Sequence, residues 1–218
     1  MDQVVTAAIE LADAEGLAAV TMRRVAQALG VAPMSLYTYV PGKAELLDLM
    51  LDAIYARMPR TDLSGMEWRD RVIAIARENR ELYDQHPWAT TVSTSRPPLG
   101  PGMMAKYDHE LTAFTGLDLD DVEVDAALSF LLSFVQACAR AAAEAASAQH
   151  DSAMTDEQWW NANEPLLAQV FDPTRYPNAA RIGTAAGTAH RGAHSPNHAY
   201  RFGLQRILDG LAALIEGH

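Results

Sequence analysis

An all-α fold is predicted for this chain of 218 residues by three observations. Apolar residues recur three and four positions apart, which places them along one face of a helix, and no segment shows the alternation of a strand. Capping and breaking residues divide the chain into segments of helical length. No internal repeat is visible. We therefore expect a small N-terminal helical domain at residues 1–58 and a larger helical domain at residues 59–218.

The helices of the N-terminal domain are bounded by clear capping signals. Thr21 is a suitable N-cap for the second helix, and Gly30 ends it because glycine readily adopts the left-handed geometry of a tight turn. Pro33 suits the first turn of the next helix, where no backbone N–H is needed, and Pro41 and Gly42 stop that helix after a few residues. The predicted helices are 2–15, 22–29, a short one that begins at Pro33, and Lys43 to Met58.

The larger domain is also predicted to be helical throughout. The sequence TDEQ at residues 155–158 is the Thr-x-x-Gln pattern of a capping box. Two segments rich in proline and glycine, 96–102 and 172–198, are predicted to be connections. The predicted helices are 66–85, a turn or two from Trp88, 103–114, 118–149, 155–171 and 200–215.

The composition predicts a soluble, cytoplasmic protein. The formal charge of −11 argues against non-specific binding of nucleic acid by the whole surface. The single cysteine, Cys138, excludes an intramolecular disulfide and suits a reducing compartment. The N-terminus lacks the basic and apolar regions of a signal peptide. The most apolar stretch, 126–139, is followed by Arg140 and Glu144, so we predict no membrane-spanning segment and no membrane partner.

One short window departs from the acidic character of the chain. Residues 21–44 contain three basic residues and no acidic one. The capped helix, the glycine turn and the short following helix in this window form a helix-turn-helix, so residues 1–58 are predicted to be a three-helix domain of that type. In this motif the second helix enters the major groove of DNA while the first braces it. Leu36 and Val40, four positions apart, are predicted to face inward, which leaves an outward face of hydroxyls, phenols and a thioether.

These outward side chains are suited to DNA. Hydroxyls bind phosphates or base edges, and the Thr38 methyl can pack on a thymine methyl. Arg23 and Arg24 can reach phosphate or a guanine edge, and Lys43 can bind a phosphate at the start of the next helix. The alternative is that Tyr37 and Tyr39 only pack, but residues two apart on a helix cannot share one core face. The candidate DNA contacts are Thr21, Met22, Arg23, Arg24, Pro33, Met34, Ser35, Tyr37, Thr38, Tyr39 and Lys43.

The stretch TMRRVAQALGVAPMSLYTYVPGKAELL, residues 21–47, resembles the DNA-binding domain of the TetR family of bacterial transcriptional regulators, and the likeness extends over residues 2–58. By this resemblance, the positions that usually touch phosphate are Thr21, Tyr37 and Lys43. The family's recognition surface corresponds to Pro33, Met34, Ser35, Thr38 and Tyr39. Arg23 matches a position that reads a base in some members. Met34 stands where a polar residue is often found, which leaves the preferred operator sequence open.

Two later segments, HPWATTVSTSRPPLGPGMM at 86–104 and YRFGLQRILDGLAALI at 200–215, are similar to the C-terminal domain of the tetracycline-repressor-like subgroup. The resemblance implies a homodimer, and the two-fold symmetry of a dimer implies a roughly palindromic double-stranded operator. It also implies a small-molecule effector. Binding of the effector would shift the helix at 43–57, change the separation of the recognition helices and lower the affinity for DNA.

A dimer is also indicated by the long predicted helix at 120–148. This helix is apolar around much of its circumference, and such a helix is normally buried. The small residues of 137–148 permit close approach of another helix. Together with the helix at 200–215, it could form a four-helix interface between two copies. The alternative is a purely internal core.

Large apolar side chains, with a few polar ones, are the candidates for an effector pocket. Clefts lined by aromatic residues with a few polar anchors are typical of small-molecule sites. The alternative for each residue is that it belongs to the core. The candidate effector-binding residues are Trp88, Met103, Met104, Tyr107, His109, Phe130, Phe134, Gln136, Trp159, Trp160 and Asn163.

Other functions are less well supported by the residues. His190, His194 and His198 have the spacing of helical metal ligands, but Gly192 and Pro196 interrupt a helix there, so no metal and no cofactor is predicted. No phosphate loop, nucleophile elbow or metalloprotease motif is present, so no enzyme activity is predicted. An all-α enzyme is a remote alternative, and a regulator controlled by a protein partner or without an effector is a closer one. The sequence therefore predicts a repressor that leaves its operator when it binds a small hydrophobic or aromatic molecule.

Overall fold

The structure is a computed structural model that describes residues 1–92, 96–190, 192 and 195–216. The described residues form ten α-helices and three short 3-10 segments and contain no strand, which confirms the all-α prediction. The α-helices are α1 (Asp2–Glu15), α2 (Met22–Leu29), α3 (Pro33–Tyr37), α4 (Lys43–Arg57), α5 (Trp68–Gln85), α6 (Pro101–Leu111), α7 (Asp121–Ser152), α8 (Asp156–Val170), α9 (Pro177–His190) and α10 (Pro196–Glu216). The 3-10 segments are Leu17–Ala19, Pro87–Thr91 and Thr112–Phe114.

The predicted capping residues define the ends of the helices. Thr21 Oγ1 accepts a hydrogen bond from Arg24 N at 3.2 Å, as an N-cap should. Gly30 has φ +68°, the left-handed conformation that ends α2. Thr155 and Gln158 form the predicted capping box at the start of α8. Because each of these signals lies within a few residues of a helix end, the helix boundaries can be predicted from the sequence.

One long connection was predicted wrongly. Most of 172–198 is helical, since α9 occupies Pro177–His190 and α10 begins at Pro196 rather than Tyr200. Proline is tolerated in the first turn of a helix, so Pro177 and Pro196 start these helices instead of breaking them. Pro101 likewise begins α6 inside the segment predicted as a loop at 96–102.

The chain forms two compact units. The first comprises Met1–Arg140 and Gly203–His218, and the second comprises Ala141–Phe202. In the first unit, α1 packs on α2 and α4, α2 packs on α3, and α4 packs on α6. The core of its N-terminal helices consists of apolar side chains with no more than 2% exposure, among them Ala8, Val20, Val25, Ala26, Leu36, Val40, Leu46 and Met50. In the second unit, no residue of α8 or α9 is buried.

Candidate nucleic-acid interface and small-molecule site

The short helix α3 is held by its inward-facing residues. Leu36 and Val40 are 2% and 0% exposed, as predicted from their spacing. The turn before α3 is set by Gly30, where the Val31 N–H donates to Ala26 O at 3.0 Å. Because α3 has only five residues, its position depends on this turn and on the packing of Leu36. The opposite face of α3 is therefore presented to solvent in a fixed orientation.

The solvent-facing side of α3 and the turn after it carries large side chains without charge. Met34 is 76% exposed, Tyr39 is 57% exposed and Tyr37 is 47% exposed. Exposed large apolar side chains that cluster on a rigid element typically mark an interaction site. The smaller side chains that share this exposure are Pro33, Ser35 and Thr38.

Cationic side chains flank this surface, and they differ in availability. Arg23 and Lys43 are exposed, and Lys43 Nζ donates to Leu17 O over a long distance of 3.4 Å. Arg24 instead forms a bidentate ion pair with Glu15, with N–O distances of 2.6 and 2.8 Å. The guanidinium of Arg24 lowers the pKa of the Glu15 carboxyl through these hydrogen bonds. Arg24 would have to exchange this carboxylate for a phosphate in order to contact DNA.

Met22 must be removed from the set of candidate DNA contacts. Its side chain is buried at 9% exposure, because the first residue of α2 points into the helical core. The spacing of Met22 with Val25 and Ala26 is that of a core-facing stripe, and both of those residues are also buried.

Three predicted effector residues of the first unit each have a polar contact with a different carboxylate. Trp88 is buried and its indole N–H donates to Asp13 Oδ1 at 2.8 Å. Tyr107 donates to Asp125 Oδ1 at 2.7 Å, a bond that raises the pKa of the Tyr107 phenol. His109 Nε2 lies 3.0 Å from a carboxylate oxygen of Glu78.

The remaining candidate effector residues of the first unit either contact a neighbouring segment or are exposed on the surface. The main-chain N–H of Met103 donates to Asp52 Oδ1 at 2.8 Å. The ring of Phe134 packs against the backbone of Gly203, and the Gln136 amide donates to Thr90 O at 3.2 Å. Two large side chains are instead exposed on the surface, namely Met104 and Phe130.

The second unit contains a half-open cleft of about 700 Å³ between α8 and α9. Of the predicted effector residues, Trp160 lines this cleft. Trp159 meets Trp160 edge to face with ring centroids 5.4 Å apart, and the Asn163 amide donates to Trp159 O at 2.7 Å. The α8 side and its C-terminal end contribute Glu157, Trp160, Asn161, Glu164, Leu167 and Phe171.

Most of this cleft was missed in the sequence because α9 was predicted to be a loop. The wall that α9 contributes is made of small residues, including Ala179, Gly183, Ala186 and Gly187. Their spacing of four, seven and eight positions places them on one helical face, and this was the available signal. Glu157 and Glu164 are seven positions apart, which puts both carboxylates on the same side of α8.

The three histidines with the spacing of helical metal ligands are only partly described. The rings of His190 and His198 lie 4.7 Å apart between centroids. His194 lies outside the described residues. Within the described ranges, no group of three or more His, Cys, Asp or Glu side chains has the arrangement of a metal site.

Comparisons with known proteins agree with the helix-turn-helix geometry. The family model for bacterial regulatory proteins of the tetR family matches residues 4–50, and that for the tetracycline repressor-like C-terminal domain matches residues 61–215. The HTH-type transcriptional repressor DrrR1 of Streptomyces coeruleorubidus is 41% identical over 99% of this chain and 78% of its own length. An HTH-type transcriptional regulator of Saccharopolyspora erythraea is 34% identical over 62% of this chain and 57% of its own length.

Solved structures show the same fold along nearly the whole chain. ActR of Streptomyces coelicolor in complex with actinorhodin has a TM-score of 0.79 at 26% identity and covers 98% of this chain and 95% of its own. ActR in complex with (S)-DNPA has a TM-score of 0.76 at 26% identity, with coverage of 98% and 97%. The chain belongs to the TetR family, whose members bind operator DNA as dimers and respond to small molecules, and it is a ligand-responsive, DNA-binding transcriptional repressor.

Proposed function

We propose that residues 1–58 bind a roughly palindromic operator through the solvent-facing side of α3, and that residues 59–218 bind the effector and form the dimer. The observation that carries the first part is the uncharged, exposed surface of α3, flanked by Arg23 and Lys43. Tyr37 and Lys43 bind phosphate, Arg23 contacts phosphate or a base edge, and the short side chains of α3 face the bases. Thr21 contributes its hydroxyl, because its N-capping bond uses only an acceptor position of Oγ1.

The variant Arg23→Ala/Tyr37→Ala is expected to bind the operator at least about 30-fold more weakly than the wild type. Both side chains are exposed, so the variant should keep its helical circular dichroism and its thermal midpoint. Fluorescence anisotropy with DNA from upstream of the gene, at two salt concentrations, measures the affinity. The salt dependence should decrease by about two units of slope, because the dimer loses one arginine from each subunit.

The matched control for this variant is Tyr176→Ala. Tyr176 is 44% exposed, close to the exposure of Tyr37, but lies in the second unit. Its replacement should leave operator affinity unchanged. Equal, salt-insensitive binding by the wild type and the Arg23/Tyr37 variant would contradict the interface, and selection from random DNA would then show whether the chain recognises another sequence.

We also propose that α7 and α10 form the homodimer interface. The single chain leaves Val122 and Phe130 of α7 and Phe202 and Leu214 of α10 exposed. By length and composition α7 could cross a membrane, but this is weak evidence because helices covered by protein meet the same criteria. Apolar exposure on two long helices of a family that binds DNA as dimers is better explained by a second copy of the chain.

The variant Phe130→Glu is expected to be monomeric at micromolar concentration, because it places two charges related by symmetry in the interface. Phe130 is 62% exposed, so the fold of a single chain should tolerate the change. Light scattering after gel filtration measures the mass. Leu99→Glu is the control, since Leu99 is fully exposed in the loop before α6 and should not affect the mass. A dimeric Phe130→Glu protein would place the interface elsewhere.

The effector is proposed to be a small hydrophobic or aromatic molecule that acts through the contact of α4 with α6. Asp52 of α4 accepts a hydrogen bond from the N–H of Met103 near the start of α6, at 2.8 Å. Since only residues 38–42 separate α4 from the recognition helix, a displacement of α6 would be transmitted to α3. ActR has been solved with bound small molecules, which supports the same kind of control here. We place the protein in the cytoplasm, and we propose that it acts by binding rather than by catalysis.

A further inference from the structure

We propose that the cleft between α8 and α9 binds a flat aromatic molecule that carries a positive charge. This proposal rests on the proposed function for its regulatory meaning, because it names the chemical class of the effector. The cleft of about 700 Å³ is within the range of small-molecule sites and has room for three or four fused rings.

The preference for aromatic rings comes from the two walls of the cleft. Trp160, Leu167 and Phe171 form an apolar wall on α8 and at its C-terminal end. Gly183 and Gly187 stand opposite on α9, and a Cβ built on either glycine meets no atom within 4 Å. A large ring on one side and a helix with small side chains on the other leave a slot that a flat molecule fills.

The preference for a cation comes from the two carboxylates. Glu157 and Glu164 line the cleft three positions before and four positions after Trp160, so they flank its ring along α8. Among the described residues neither carboxylate has an ion-pair partner. A cation near the face of Trp160 would gain from the ring and from a carboxylate at the same time.

The two helices that form the walls of the cleft are exposed to solvent in the described part of their unit. No residue of α8 or α9 is buried, although α8 carries two adjacent tryptophans and two adjacent leucines. The alternative occupant is a second copy of the chain. The two carboxylates favour a cationic ligand instead, because each copy carries a formal charge of −11 and would bring further negative charge to the site.

Three probes of nearly equal shape test the proposal: 9-(aminomethyl)anthracene, 9-anthracenemethanol and 9-anthracenecarboxylate, which are cationic, neutral and anionic at neutral pH. Titration calorimetry with the full chain, without DNA, should show that the cation binds about tenfold more tightly than the neutral compound and that the anion binds most weakly. In the variant Glu157→Gln/Glu164→Gln, the affinity for the cation should fall about tenfold and approach that for the neutral compound.

Two further variants complete the test. Gly187→Leu should weaken the binding of all three probes by filling the slot. Glu144→Gln removes a carboxylate from the same unit outside the cleft and should leave all affinities unchanged. Equal affinity for the three probes, no binding of the cation, or an unchanged Glu157/Glu164 variant would overturn the proposal. A change of oligomeric mass in Gly187→Leu without weaker probe binding would assign the cleft to a second copy and also overturn it.

Because these titrations contain no DNA, they are independent of the operator measurement. If the protein binds the cation but no operator, the proposed ligand site is supported and the proposed regulatory function is contradicted. If the protein binds its operator but not the cation, the proposed regulatory function is supported and the proposed class of ligand is contradicted.

Discussion

Replacing Lys106 by Met is expected to lower the free energy of unfolding by about 3–5 kcal/mol. Lys106 and Glu110 lie one turn apart on α6, are both buried, and place Nζ 2.6 Å from Oε1. Asn79 of α5 donates to the same carboxylate oxygen at 2.6 Å. Without the ammonium, the Glu110 carboxylate, which has no solvent exposure, would stay buried without its charged partner.

The surroundings of this pair indicate why the loss should be large. The Lys106 ammonium lies 5.2 Å from the centre of the Tyr55 ring, so it contacts α4 as well as α6. Burial, together with the negative charge of Glu110, raises the pKa of Tyr55 to about 12. The same two causes, with Tyr55 as a further neighbour, raise the pKa of Tyr83. The Asn79 amide and the Tyr55 ring, which contact the pair, carry no positive charge that could replace the ammonium.

Urea unfolding followed by circular dichroism measures this loss, and Arg77→Met is its matched control. Arg77 and Glu81 form an ion pair of the same spacing on α5, but both side chains are about 60% exposed, so the control should cost less than about 0.5 kcal/mol. Lys106→Met/Glu110→Leu should recover most of the loss, because it removes both charges. A cost for Lys106→Met no greater than that of the control would show that the pair is not buried in solution.

The N-terminal domain could be predicted in detail because its boundaries depend on contacts between neighbours in sequence. Thr21 caps the helix that follows it, Gly30 supplies the left-handed turn, and Pro33 starts α3. The inward orientation of Leu36 and Val40 follows from their spacing alone. Such signals act within one or two turns of helix, so they are visible without knowledge of the tertiary structure.

The larger domain was harder to predict because its features depend on residues far apart in sequence. The glycines and prolines of 172–198 read as a loop, whereas α9 lies beside α8 and uses its small residues as one wall of a cleft. The burial of Lys106 depends on α4 and α5 closing over α6, which no pattern within α6 indicates. The sequence signal for the effector candidates is size and aromaticity, and residues such as Trp88 share both properties with ordinary core side chains.

Replacing Gly102 by Ala is expected to destabilise the protein by about 3 kcal/mol and to weaken operator binding by about tenfold or more. A Cβ built on Gly102 would overlap the main-chain carbonyl oxygen of Asp52 and would lie 2.9 Å from Ala56 N, both on α4. Main-chain atoms within a helix cannot move aside separately, so α4 and α6 must separate. This separation would also lengthen the hydrogen bond from Met103 N to Asp52. Because only five residues separate α3 from α4, the orientation of the recognition helix should change with that of α4.

The sign of the change in stability shows whether the close contact of α4 with α6 or the helix propensity of alanine dominates in Gly102→Ala. Within a helix, alanine is favoured over glycine by about 1 kcal/mol, so propensity alone predicts that the Gly102→Ala protein is more stable. Gly187→Ala is the control, since a Cβ there meets nothing within 4 Å and the variant should gain up to about 1 kcal/mol. Urea unfolding and operator anisotropy are measured on both proteins. If Gly102→Ala were as stable as Gly187→Ala and bound the operator normally, the close contact of α4 with α6 would not be present in solution, and coupling of the effector to DNA would need another route.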